Sequence, residues 1–385
     1  MKDITSYLKG GEQSKKDTKG TCSREEWEQM NDDCKIELII QRFFTSKPLR
    51  SVFEKEGKIF STFYLKSGAN CHAYLPSEMA FLSEYYFGKY DINIFYIEGE
   101  DNLEKQLEQL VAESECSAVK KTAFVFKTST AEGVDPKIYA LHFIPIIFEN
   151  FHGVCSLFIL DSDYAFTSRG MKSPFTNQKK LFNNDCVYCT GVSLQSDTAS
   201  CIGSSWASAK EALNYKGKLK DVMVPLTDRL LGKLNEAQYP STLYPSTFKK
   251  VMPSGPFSKY TQRAKIVDVM RSPDNQSLFY NSLMVNSKQQ SLEDYLIEKN
   301  QPETMDTKTY CLTEGMNQNP NNQEEREKYM QLHEKGIMNI KRTMRVIDQE
   351  FASGKHSDLD VMVNALKSRQ ELRLQSILKV SVEAR

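Results

Sequence analysis

The chain has 385 residues and a mass of 44.1 kDa, with 50 basic residues balanced by 50 acidic ones. At about 150 residues per domain this length predicts two or three units and a sizeable core, and 40% hydrophobic with 26% charged residues excludes a disordered chain. The longest apolar runs, such as Ile144–Phe148 and Val154–Leu160, fall far short of the ~18 residues of a bilayer span, and a net charge of zero excludes a general polyanion binder.

The start, Met1-Lys2-Asp3-Ile4, has no apolar run of the signal-peptide kind, and Lys2 stands where N-myristoylation needs glycine. Residues 1–35 are polar and read as a flexible tail, of a composition that suits an export leader. Residues 36–88 carry apolar and aromatic residues at helical and mixed spacing and read as an N-terminal helical segment. A more regular unit follows. Ile92–Ile97 reads as a strand, and a helix from Asp101 turns Leu103, Leu107 and Leu110 inward. Thr122–Lys127, Tyr139–Phe148, Gly153–Asp161 and Cys186–Leu194 read as four more strands, and Ser204–Leu213 as a helix just after Cys201. Such alternation predicts an α/β or α+β core over 89–275, a central mixed sheet with helices packed on it. The remainder, 276–385, reads as a C-terminal helical region. Its residues 300–325, rich in Asn, Gln, Pro and Thr, form a linker. Ile337, Ile340, Met344, Ile347 and Phe351 recur at steps of three and four in a helix that stops near Gly354, and a second helix runs from Asp358 to about Val382. Both apolar stripes are expected to pack on the core.

The nine cysteines, at 22, 34, 71, 116, 155, 186, 189, 201 and 311, are odd in number and unevenly spaced, as expected of free thiols in a reducing compartment. Cys186 and Cys189 form a single CxxC without a second pair or a histidine at finger spacing, and two ordinary buried thiols are expected there rather than a metal or redox site.

Chemistry concentrates between residues 142 and 213. A thiol nucleophile needs a base within hydrogen-bond reach and a third group to orient it. His142 opens the apolar run Phe143-Ile144-Pro145-Ile146-Ile147, and the next strand ends in Leu157-Phe158-Ile159-Leu160-Asp161. Two antiparallel strands joined by the short link 150–153 can set a His at the start of the first beside a carboxylate at the end of the second. Cys201 precedes a helix, where the positive end of the dipole favours thiolate. Gln195 can offer a side-chain N–H to an oxyanion, with the Cys201 amide as a second donor. His152 and Asp163 are the competing acid–base members, and His142 with Asp161 is the preferred pair.

In the order His, Asp, Gln, Cys these residues resemble the catalytic core of the YopJ/AvrA family of bacterial effector acetyltransferases, whose fold is that of the ubiquitin-like-protein proteases (clan CE). The match runs through His142-Phe143-Ile144-Pro145, Ser156-Leu157-Phe158-Ile159-Leu160-Asp161, Gln195 to Cys201, and Ser205-Trp206-Ala207-Ser208-Ala209-Lys210. It continues in Phe257-Ser258-Lys259-Tyr260-Thr261-Gln262, so that it spans about 90–265 and more loosely reaches His333. Three departures stand out: Asp161 where the best-known members have Glu, Ile202 where Gly usually follows the nucleophile, and Tyr260 in place of a His.

The resemblance implies a ping-pong acetyl transfer. His142 deprotonates Cys201, the thiolate attacks acetyl-CoA, Gln195 holds the oxyanion, and a Ser, Thr or Lys of a host protein takes the acetyl group. Asp161 orients the imidazole. The resemblance further implies secretion by a bacterial system into the host cell cytoplasm, a role in virulence, and regulatory helices on both flanks of the core. It also implies activation by inositol hexakisphosphate. Lys249, Lys250, Lys259, Arg263, Lys265 and Arg271 stand in 247–271 against Asp268 alone, and can bind phosphates through charge-assisted hydrogen bonds. Lys341, Arg342 and Arg345 on the later helix are expected to close that site. The lysine matching Lys259 is one that the family can self-acetylate, and Lys210 is a candidate contact for a CoA phosphate. The other reading is a clan CE cysteine protease that removes ubiquitin or a ubiquitin-like modifier; the triad suits both, and the basic 247–271 segment favours transfer. A catalytically silent scaffold is a third reading, suggested by Ile202. Neutrality is thus a cancellation: 84–115 carry nine acids against two lysines, and 247–271 six bases against one acid.

Overall fold

The structure is a computed structural model that describes residues 21–43, 48–55, 58–65, 76–112, 120–128, 142–162, 181–182, 186–194, 201–234, 247–260, 264–279, 290–291, 295 and 340–379. Nine strands are described: β1 (Pro48–Lys55), β2 (Lys58–Leu65), β3 (Ile94–Glu98), β4 (Lys120–Lys127), β5 (Phe143–Phe151), β6 (Val154–Ile159), β7 (Val187–Thr190), β8 (Met223–Pro225) and β9 (Lys249–Pro253). The helices among the described residues are α1 (Arg24–Gln29), α2 (Asp32–Phe43), α3 (Pro76–Tyr90), α4 (Glu100–Ala112), α5 (Cys201–Asn214), α6 (Asp228–Leu234), α7 (Ala264–Arg271), α8 (Gln276–Phe279), α9 (340–352) and α10 (Leu359–Lys379).

Seven strands form one mixed sheet in the order β3-β4-β5-β6-β7-β9-β8, which meets the α/β expectation. The middle of this sheet is the β5–β6 hairpin, antiparallel with Ile146 opposite Ile159, and β4 lies antiparallel on its other side. Both faces are covered, so β5 is buried along almost its whole length rather than alternating. Ile94, Ala123, Val125, Phe143, Ile147 and Phe158 face α3, α5, α9 and the start of α10. On the other face Phe95, Phe124, Ile144, Ile146, Phe148 and Ile159 pack with Leu103, Leu107 and Leu110 of α4, the three leucines expected to turn inward. A third cluster joins β8 and β9 to α6, α7 and α8 through Val224, Met252, Leu230 and Met270.

Residues 36–88, read as helical, also contain the antiparallel β1–β2 pair, in which Val52 faces Ser61 and Phe53 faces Phe60. The segment is rich in the aromatic and β-branched residues that favour strands. The reading of 1–35 as a flexible tail needs correction from residue 21 onward. Ser23 and Glu26 form a capping box that starts α1, and Trp27 is buried. Residues 1–20 lie outside the described part, as do the 300–325 linker and Ile337. Among the expected stripe residues of α9, Ile340, Ile347 and Phe351 are buried and the helix stops before Gly354, whose φ of 69° glycine adopts without strain.

The two ends of the chain meet. The Trp27 Nε1–H donates to Asp348 at 2.8 Å, Lys35 bonds the same carboxylate at 3.0 Å, and the Trp27 and Phe351 rings lie 6.2 Å apart. The Leu359 N–H donates to Cys22 O and the Arg24 N–H to Ser357 O, both at 3.0 Å, while Arg42 pairs with Asp360. A second knot ties α3, α9 and α10 together: Arg369 bonds both Glu350 and Glu84, Arg373 pairs with Glu84, and His356 Nε2 lies 2.8 Å from Glu350. Hydrogen bonding from Arg369 holds the Glu350 carboxyl below its ordinary 4.5 although burial opposes it, with His356 adding to the effect. A lowered folded value contributes stability that is complete above the ordinary carboxylate range and is lost as pH falls through the lowered one. Glu350→Gln is therefore expected to flatten the acid limb of the stability curve below about pH 4.5, measured by thermal unfolding between pH 3 and 7; an acid limb unchanged from wild type would refute this.

Candidate active site

His142 sits immediately before β5, and Asp161 two residues past the end of β6, because the hairpin register brings both to the same end of these two central strands. His142 Nε2 lies 2.7 Å from Asp161 Oδ1, with His142 only 3% and Asp161 0% exposed. An ionised carboxylate taken fully out of water needs such a partner, so the pair is mutually required by burial. The backbone around it is held from two sides. Thr128 donates both its N–H and its Oγ1–H to the His142 carbonyl, at 2.9 and 3.2 Å. Leu160 N–H reaches Pro145 O at 3.0 Å, which closes the hairpin beside Asp161.

His152, the competing histidine, occupies the turn at the opposite end of β5, exposed, with φ 53° and its ring on Phe151. Nine residues of strand separate the two ends, about 30 Å at 3.3 Å per residue. Asp163 lies outside the described residues.

Cys201 is the first residue of α5, three residues earlier than the helix expected from Ser204. Its side chain, that of Ile202, and residues 195–200 with Gln195 lie outside the described part. What is described brackets them. Leu194, just before Gln195, donates its N–H to Ser162 O at 2.9 Å, next to Asp161. Ser205, one turn after residue 201, donates Oγ–H to the Phe143 carbonyl at 2.8 Å, next to His142. Leu194 and Ser205, on either side of that stretch in sequence, thus bond residues adjacent to Asp161 and to His142. The far end of α5 is fixed as well: Lys121 Nζ bonds Tyr215 O and Gly217 O and pairs with Glu149, which accepts the Leu219 N–H. Desolvation raises the Glu149 carboxyl and lowers the Lys121 ammonium from their ordinary values, despite their mutual attraction.

The cationic candidates divide. Lys210 of α5 lies 4.3 Å from the Tyr90 ring, and Arg342 of α9 lies 5.5 and 5.4 Å from the Tyr85 and Tyr86 rings. Tyr86 stacks on Trp206 at 5.5 Å and on Tyr90 at 5.8 Å, so α3, α5 and α9 meet in one aromatic and basic surface. Lys89, a residue the sequence reading did not single out, joins it with a 3.0 Å bond to the Tyr85 hydroxyl. Burial alone would raise the Tyr85 phenol; the Lys89 hydrogen bond and the charges of Lys89, Arg342 and Arg345 outweigh it and hold the phenol below its ordinary value. Lys341 and Arg345 are exposed on α9. Lys249 and Lys250 point apart. They are successive residues of β9 and project from opposite faces of the sheet: Lys249 lies over Tyr188, and Lys250 influences the buried Cys189. Arg271 is exposed at the end of α7; Arg263 and the side chains of Lys259 and Lys265 lie outside the described residues. In the CxxC, Cys189 is fully buried and its thiol is pushed up to about 12 by desolvation, which disfavours the thiolate that metal binding or redox exchange requires.

No helix among the described residues is long and apolar enough to cross a membrane. The chain matches no protein-family model and no curated protein in sequence. Solved structures similar to it include the following two. One is AvrA delL154 with IP6 and CoA, at 15% identity and a TM-score of 0.37, over 62% of this chain and 86% of that one. The other is HopZ1a in complex with IP6, at 11% identity and a TM-score of 0.39, over 70% of this chain and 84% of that one.

Proposed function

We propose that the chain is a YopJ/AvrA-type acetyltransferase that carries acetyl from acetyl-CoA on Cys201 to a hydroxyl or amine of a host protein. The observation that carries this reading is the buried His142–Asp161 pair at 2.7 Å, at the end of the central strands beside the N-terminus of α5. The family motifs quoted from 142 to 262 and the order of the elements support a clan CE-type core over 89–275, with flanking segments 36–88 and 276–385 as its regulatory part.

In the first half-reaction His142 takes the Cys201 proton, and the thiolate, favoured by the helix N-terminus, attacks the thioester carbonyl. Gln195 and the Cys201 amide hold the oxyanion. The carbonyl re-forms as the C–S bond to CoA breaks, and the imidazolium returns its proton to the departing thiolate. In the second half-reaction His142 deprotonates the Ser, Thr or Lys acceptor, which displaces Cys201. Asp161 keeps Nε2 engaged throughout, which assigns the other ring nitrogen, Nδ1, to the thiol.

For inositol hexakisphosphate, the surface of Lys89, Lys210, Arg342 and Arg345 around Tyr85 and Tyr90 is the better supported binding place, with Lys341, Lys259 and Arg263 as further contacts and Lys210 shared with a CoA phosphate. Each charged contact to a phosphate is worth about 1.5–3 kcal/mol, so Lys89→Ala and Arg342→Ala are each expected to weaken binding by ~10-fold or more. Calorimetry tests this; unchanged affinity in both variants would remove the activator from this surface. Delivery into the host cytoplasm by a bacterial secretion system belongs to the same reading. Reaction with a ubiquitin-type activity probe and no acetylation would replace it with the protease.

A further inference from the structure

We infer that Ser205 is a positioning residue that sets the separation of Cys201 and His142; this rests on the function proposed above. Positions 201 and 205 share one stripe of α5, a turn apart. Ser205 is completely buried, and its hydroxyl donates at 2.8 Å to the carbonyl of Phe143, the residue bonded to His142. The neighbouring His142 carbonyl is gripped from the sheet side by Thr128, through both N–H and Oγ1–H. Two hydroxyls thus clasp two successive carbonyls: Thr128 holds the histidine to β4, and Ser205 holds the nucleophile's helix to the histidine's strand. Another polar fixture of the helix region, Lys121 with Tyr215 O and Gly217 O, acts beyond the last turn of α5, at the opposite end. Without the Ser205 bond the near end of the helix is held by packing such as that of Trp206, which does not fix its axial position, and a thiol displaced from its base by a fraction of an ångström loses the ion pair that keeps it ionised.

This role differs from plain structural support in what it moves. Removing the Ser205 hydroxyl should loosen the thiol–imidazole contact before it loosens the fold. The readout is the pH dependence of iodoacetamide alkylation at Cys201 in the full chain, resolved by peptide mass spectrometry and compared with thermal unfolding. Ser205→Ala is expected to shift the alkylation profile upward by about one pH unit, leaving about tenfold less thiolate at pH values below the wild-type midpoint. Ser205→Thr, which keeps the donor, is expected to retain the wild-type profile. Ser208→Ala removes a second buried serine hydroxyl from the same helix and should leave the profile alone. A wild-type profile in Ser205→Ala would overturn the inference, as would equal shifts in Ser205→Ala and Ser208→Ala, or a shift in Ser205→Thr. A Ser205→Ala protein without a cooperative unfolding transition would also overturn it, by making the hydroxyl a condition of folding instead of alignment. An ordinary thiol profile at Cys201 in the wild-type chain would instead sink the proposed function itself.

Discussion

Asp161→Asn should lower the rate of acetyl transfer to Cys201 by about ten-thousand-fold while leaving the fold intact. The substitution is isosteric at a completely buried position, so the end of the central hairpin keeps its packing. What changes is the imidazole. Asp161 accepts from Nε2 at 2.7 Å and thereby leaves Nδ1 as the basic nitrogen for the thiol. An asparagine amide can present N–H instead, which selects the wrong tautomer and removes the charge that stabilises the imidazolium. A ten-thousand-fold loss corresponds to about 5.5 kcal/mol of transition-state stabilisation. Single-turnover acetylation with quenched mass spectrometry reads it directly, and circular dichroism melts check the fold. A variant that acetylates within tenfold of wild type would show that another group orients the base.

The second large effect belongs to the joint between the chain's two ends. Trp27 is 1% exposed, packs on Phe351, bonds Asp348 and lies 5.1 Å from the Lys35 ammonium. Trp27→Ala deletes a fully buried aromatic side chain and should cost about 3–5 kcal/mol. The backbone pairs Cys22–Leu359 and Arg24–Ser357 depend on the same contact, so the loss should appear as a local opening. Hydrogen exchange is expected to rise together in 22–43 and 340–360, while β4, β5 and β6 keep their protection. Uniform loss across the sheet, or no change in 340–360, would contradict a joint of this kind.

The hairpin and its two chemical ends were legible in the sequence because β5 and β6 are near-continuous apolar runs bounded by His142 and Asp161. Buried strands leave that signature, and the link is short enough to force antiparallel pairing. Leu103, Leu107 and Leu110 were legible for a similar reason, a clear helical period on a polar background. The elements missed were those whose stability comes from neighbours. β8 has three residues and β9 begins Lys249-Lys250, so neither carries a period of its own; pairing of β9 with β7 and of β8 with β9, and packing of Val251 and Met252, make them strands. The same strand geometry divides the basic segment that composition had treated as one patch. α1 was hidden because its single buried residue, Trp27, finds its partners about 320 residues away. The Lys89 contribution had a signal that was passed over: Tyr85-Tyr86-Phe87-Gly88-Lys89-Tyr90 interleaves aromatic rings with a base, and these rings meet Arg342 and Lys210 only in the fold.

The central claim is that Cys201 carries the acetyl group. Incubation of the full chain with labelled acetyl-CoA, with and without inositol hexakisphosphate, followed by acid quench and peptide mapping, tests it most directly. The account predicts one acetyl group on the peptide spanning Cys201, formed faster with the polyphosphate and absent in Cys201→Ala. No label on that peptide under either condition, or label that persists in Cys201→Ala, would contradict it.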